Sequence, residues 1–137
     1  MILQVIIWLF VHNPKVIKMT KSAIAKAFSN GQFEKCLDYL TDHTIWNTPG
    51  EQFLTGRNEI EAFSKNIAAY FSSVTTNFKQ FNLIENEHCV AINGTAEFIC
   101  EGKRTAYVSS CDVYEFGPDN KIVSINSYCI TERLEKE

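Results

Sequence analysis

The stretch TTNFKQFNLIENEHCVAINGTAEFICEGKRTAYVSSCDVYEFGPDNKIVSINSYCI, residues 75–130, decides the fold of this chain. Just before it, Ile60, Phe63, Ile67, Tyr70 and Phe71 recur at helical spacing; inside it the apolar period drops to two. Residues 75–84, 89–100, 104–116 and 121–130 read as four strands. They are separated by Glu85-Asn86-Glu87, Glu101-Gly102-Lys103 and Gly117-Pro118-Asp119-Asn120. Loops this short join neighbours in hairpins, so the four strands form an antiparallel meander.

Working back toward the start, Ala23, Ile24, Ala27 and Phe28 share one face of a helix that stops at Asn30-Gly31. Phe33, Cys36, Leu37 and Leu40 mark a second short amphipathic helix. Residues 44–48, rich in β-branched and aromatic side chains, read as a short strand turned by Pro49-Gly50. Thr55 is the expected N-cap of the third helix, which has acidic residues in its first turn. Helices first and strands after is the α+β arrangement, with helices packed on one face of a strongly curved, mostly antiparallel sheet. No repeat or linker divides the chain, so one domain is expected.

The 13 basic and 16 acidic residues leave a net charge of -3, which offers nucleic acid no basic footprint. Aromatic residues reach 12%, which fits either a dense core or an apolar pocket. The five cysteines, at 36, 89, 100, 111 and 129, form neither a CxxC pair nor a zinc-ligand spacing. They are expected as free thiols in the cytoplasm, with no metal and no cofactor. Residues 1–18 stand apart. Ile2 to Val11 is nearly all apolar, yet too short to span a bilayer and without the flanks of a secretory signal. Three readings stand for it: a segment docked on the domain, an appendage that contacts membranes, or an over-extended reading frame whose true start is Met19-Thr20-Lys21. The body of the domain is then 19–132, and 133–137 is a charged tail.

The ordered set of Asn30-Gly31-Gln32-Phe33, Trp46 ahead of Pro49-Gly50, Gly56-Arg57-Asn58-Glu59-Ile60-Glu61-Ala62-Phe63 and Asp112-Val113-Tyr114-Glu115-Phe116 resembles a known family. It is similar to the SnoaL-like branch of the nuclear-transport-factor-2-like superfamily, which includes ketosteroid isomerases. The resemblance implies a cone whose sheet and helices enclose an apolar pocket, in a homodimer packed through the outer sheet face. Fold likeness does not fix function.

Strand parity supports a pocket independently. Ala106, Val108, Ser110, Asp112, Tyr114 and Phe116 share one face of the third meander strand, and Val90, Ile92, Ala96, Phe98 and Cys100 one face of the second. Val123, Ile125, Ser127 and Cys129 share a face of the last strand, and Trp46 and Thr48 have the inward parity of the first. The expected lining is therefore Phe28, Trp46, Thr48, Phe63, Phe98, Ser110, Tyr114, Ile125 and Cys129, with Asp112 as its carboxylate.

By resemblance, the isomerase base falls on Thr48 and the oxyanion tyrosine on Ile24, neither of which does that chemistry, so ketosteroid isomerisation is not expected. Asp112 and His43 remain as candidate catalytic residues; at a helix-to-strand junction, His43 also fits a capping role. Two functions stay open. One is a cofactor-free isomerase, cyclase or hydrolase acting on a small apolar molecule through Asp112. The other is a non-catalytic ligand-binding or dimerisation module. The outward Tyr107, Cys111, Val113, Tyr128 and Ile130 are the expected homodimer surface.

Overall fold

The structure, a computed structural model, describes residues 18–133. The expectations for residues 1–17 and for the end of the tail, 134–137, lie outside it. Helix α1 (Lys21–Ser29) is capped by Thr20, whose hydroxyl accepts from the Ala23 N–H at 3.2 Å, and it buries Ile24, Ala25, Ala27 and Phe28. The expected second helix is a 3-10 segment, Phe33–Tyr39, that buries Phe33 and Cys36. Strands β1 (Ile45–Thr48) and β2 (Gln52–Thr55) form a hairpin, and helix α2 (Arg57–Ser73) follows. The meander is β3 (Thr75–Glu85), β4 (Cys89–Cys100), β5 (Lys103–Phe116) and β6 (Ile122–Arg133).

All six strands join one sheet in the order β2-β1-β6-β5-β4-β3, antiparallel except where β1 runs parallel to β6. Strand β2 escapes the sequence reading because its four residues carry no extended alternation and follow directly on a turn. Three register shifts curve the sheet, leaving Phe81 on β3, Thr105 on β5 and Val123 on β6 without a cross-strand partner. The last of these corrects the expected inward face of β6. With Phe116 opposite Ile122 and Glu115 opposite Ser124, the extra residue Val123 is left 50% exposed while Ile122 and Ile125 are buried. Cys100, at the end of β4, and Cys129 on β6 are also exposed rather than inward.

The helices cover the concave face, and the core lies between. Phe28 meets Phe33 and Trp46 edge-on, each at 4.9 Å between ring centroids, and Trp46 meets Phe63 of α2 at 5.5 Å. The start of α2 also differs from expectation. Gly56, not Thr55, holds the N-cap position at φ 88°, and a Cβ there would sit 3.0 Å from the Asp42 carbonyl oxygen. Glu59 instead reaches back to accept from the Thr55 N–H at 2.8 Å.

A second glycine is fixed by proximity. At Gly94, opposite the β3 bulge, a Cβ would lie 2.3 Å from the Lys79 carbonyl oxygen. Gly94→Ala should therefore force the β3–β4 ladder apart and cost about 2 kcal/mol in urea denaturation, within the usual range for overpacking. Gly50→Ala, in a turn with open space around it, should cost roughly 1 kcal/mol through its positive φ alone. Equal losses at both sites would show that the close approach at the bulge is not what constrains Gly94.

Candidate active site

A carboxylate at position 112 of β5 faces the helices, and burial is its first problem. Taking an ionised carboxylate out of water is costly unless donors meet it. The donor comes from α1. The Ser29 hydroxyl, at the last residue of that helix, donates to Asp112 Oδ2 at 2.7 Å and lies 2.6 Å from the Tyr114 phenolic oxygen. Ser127 stands directly across the ladder from Asp112 on β6 and borders the same cavity. Ser127 in turn accepts from the Trp46 indole N–H at 3.0 Å.

Burial raises the Asp112 carboxyl above its ordinary 3.8, and the Ser29 and Ser127 hydroxyls pull it part of the way back. Tyr114 is 0% exposed. Burial first, and then the Asp112 charge, lift its phenol well above the ordinary value, so it keeps its proton. Cys129 is an exposed residue at the cavity edge; partial desolvation of its thiol, then the Asp112 and Glu51 carboxylates, push it up to about 11, which leaves it a poor nucleophile at neutral pH.

Over this carboxylate lies a cavity of about 210 Å³ between the helices and the concave face of the sheet. Phe28, Trp46, Thr48, Phe63, Phe98, Ser110, Cys129 and Asp112 all border it. Tyr114 and Ile125 do not; both are fully buried, Ile125 in the core and Tyr114 beneath the polar group it supports. His43 stands elsewhere. It occupies an exposed turn ahead of β1, where its N–H donates to the Thr41 hydroxyl at 3.2 Å, and it does not border the cavity.

Further lining residues have no counterpart in the sequence reading: Ser29, Glu51, Gln52, Phe71 and Phe78 among them. The hydroxyl that meets Asp112 comes from Ser29, 83 residues away. No Lys, Arg or His borders the cavity among the described residues, so its polar groups are hydroxyls, carboxylates, the Gln52 amide and the Cys129 thiol. Such a site can hold an apolar body and exchange a proton at one end.

The SnoaL-like domain family matches residues 22–125. An NTF2-like protein of unknown function from Cytophaga hutchinsonii is 31% identical over 82% of this chain and 98% of its own, with a TM-score of 0.73. A SnoaL-like polyketide cyclase (putative by its own description) from Shewanella denitrificans superposes over 80% of this chain and 90% of its own, at 13% identity and a TM-score of 0.64. An LEH-like epoxide hydrolase from M. tuberculosis does so over 80% and 78%, at 17% identity and a TM-score of 0.58. No curated protein matches the chain.

The raised carboxyl has a signed consequence. Folded Asp112 keeps its proton to higher pH than the unfolded chain does. Its contribution to stability is therefore greatest below the unfolded value near 3.9 and declines as pH rises through the folded value. Asp112→Asn should gain stability relative to the native protein between about pH 4 and pH 7, read by urea denaturation across that range. A difference that stays flat or moves the other way would show that burial does not dominate at this carboxyl.

Proposed function

The chain belongs to the SnoaL-like domain family, and from that membership we propose that it binds a small, largely apolar molecule in the cavity above Asp112 and transfers a proton on it without a cofactor. The observation that carries this reading is the pairing of aromatic walls with one partly sheltered carboxylate at the inner end, since Glu51, the other carboxylate of the lining, is exposed. Size narrows the occupant. A dry cavity of about 150 Å³ holds a benzene ring, and drug-sized ligands take about 300 Å³ or more. At about 210 Å³ the cavity suits one or two rings. With no cation in the lining, the occupant is uncharged or positively charged.

Isomerisation, cyclisation and hydrolysis all fit a proton-transferring carboxylate in an apolar cavity. The related folds described as a polyketide cyclase and an epoxide hydrolase lend support at the level of the fold. Ketosteroid isomerisation falls outside the proposal, because the positions that by resemblance would hold the base and the oxyanion tyrosine are Thr48 and Ile24. His43 is left out because it is remote from the cavity. The unpaired state of all five cysteines agrees with a cytoplasmic setting, and no helix among the described residues is long and apolar enough to cross a membrane.

A second reading rests on the outer sheet face. Tyr128 is 52% exposed and Ile130 72%, and with Phe81 they border a broad hollow on that face. Side chains of this kind in a row favour burial against a second copy of the chain. Homodimerisation through this face is compatible with the catalytic reading and also serves a non-catalytic module.

Two measurements separate these readings. Uncharged one- and two-ring ketones, enones and epoxides should raise the melting temperature, and a bound compound should turn over. Ala96→Phe, which fills the cavity, should weaken binding at least tenfold while the protein stays folded. Binding without turnover would favour the non-catalytic module, and binding that survives Ala96→Phe would place the ligand elsewhere. Light scattering at micromolar concentration should give a dimer, converted to monomer by Ile130→Glu. A monomeric native protein would remove the second reading.

A further inference from the structure

We propose that Ser29 and Ser127 are positioning residues that hold Asp112 as a carboxylate, so that the site works by taking a proton rather than giving one. The inference rests on the catalytic reading of the cavity and deepens it by fixing the direction of proton transfer. It follows from counting the protons in one hydrogen-bonded chain that ends at Asp112 and in a second that places a hydroxyl opposite it.

The first chain is Tyr114–Ser29–Asp112. Tyr114 is fully buried, and the Ser29 oxygen, 2.6 Å away, is the hydrogen-bond partner of its phenol among the described residues. The phenolic proton needs an acceptor, so Tyr114 donates and Ser29 accepts. A hydroxyl has one proton, and that of Ser29 is then committed to Asp112 Oδ2 at 2.7 Å. A protonated Asp112 donating from Oδ2 would instead compete with Tyr114 for the Ser29 oxygen and leave the Ser29 proton without the carboxylate acceptor it has now.

The second chain is Trp46–Ser127, with Ser127 opposite Asp112 in the ladder. The indole N–H can only donate, so Ser127 accepts from it at 3.0 Å and has its own proton free for the carboxylate opposite it on β5. Each chain thus starts at a buried aromatic donor; the first ends in a hydrogen bond to Asp112, and the second brings a free hydroxyl proton opposite it. Donation to a carboxyl favours its ionised form. The other ionisable groups around the site offer it no help. The Glu51 carboxylate and the Cys129 thiol border the same cavity, and Cys36 on the 3-10 segment acts on Tyr114. None of them supplies a positive charge, so the two hydroxyls are what the carboxylate has. In use, a proton leaves a substrate carbon or a bound water and ends on Asp112; nothing is oxidised, and the proton returns in a later step.

The test needs no ligand, so its failure is distinct from failure of the cavity to bind one. In ¹³C-labelled protein, the Asp112 carboxyl resonance is assigned by its loss in Asp112→Asn and then titrated. The midpoint should fall below pH 7 in the native protein. Ser29→Ala should raise it by about one pH unit, the size of one charge-assisted hydrogen bond. Ser29→Thr, which keeps the hydroxyl, should restore it. Should Ser29→Ala fail to fold, Ser127→Ala and Tyr114→Phe carry the same comparison, each with an upward shift expected. A native midpoint above pH 7, or hydroxyl removals that leave the midpoint in place or lower it, would overturn the proposal.

Discussion

The Ser29 hydroxyl, held between Asp112 and Tyr114, is the contact on which this structure turns. It joins the last residue of helix α1 to the middle of β5, and so fixes how the helix lies across the concave face of the sheet. One residue earlier, Phe28 meets Phe33, Trp46 and Tyr114 edge-on. A polar tie and an aromatic wedge side by side set both the depth of the core and the floor of the cavity above it. Losing the serine hydroxyl would expose two buried polar groups to the same deficit, and each unpaired group costs on the order of 1–3 kcal/mol.

Curvature supplies the rest of the enclosure. The bulges at Phe81, Thr105 and Val123 bend three adjacent hairpin pairs, and the parallel contact of β1 with β6 brings Trp46 beside Ile125. That placement lets the indole reach Ser127 from a neighbouring strand. The cavity is therefore walled by rings whose positions are set by the fold, while its polar end is built from residues on α1, β5 and β6. Function in such an architecture resides in the few side chains at that end, because the aromatic walls fit many apolar bodies equally well.

Much of this was legible in the chain itself. Period-two alternation marked all four long strands, and it placed Asp112 among inward residues without any knowledge of the fold. Trp46, Phe28, Phe63 and Phe98 were likewise found by parity or helical spacing. What parity cannot show is which hydroxyl meets the carboxylate. Ser29 lies one position off the apolar stripe of a short helix and 83 residues from its partner, with no local pattern to mark it. Nor does alternation anticipate a bulge: one extra residue at Val123 moved Ile122 into the core and Val123 out of it. Tyr114 and Ile125 had the right parity but lie too deep to touch the cavity, since parity gives a face and not a height along it. His43 drew attention through its chemistry alone, and an exposed turn is where the chain carries it.

The account stands or falls on where the protons of the polar end reside. Neutron diffraction from a deuterium-exchanged crystal at pH 7 would locate them. The account predicts deuterium on the Tyr114 oxygen pointing at Ser29, deuterium on Ser29 pointing at Asp112 Oδ2, and none on the carboxylate. Deuterium on either Asp112 oxygen, with the Ser29 hydroxyl turned toward Tyr114, would contradict it.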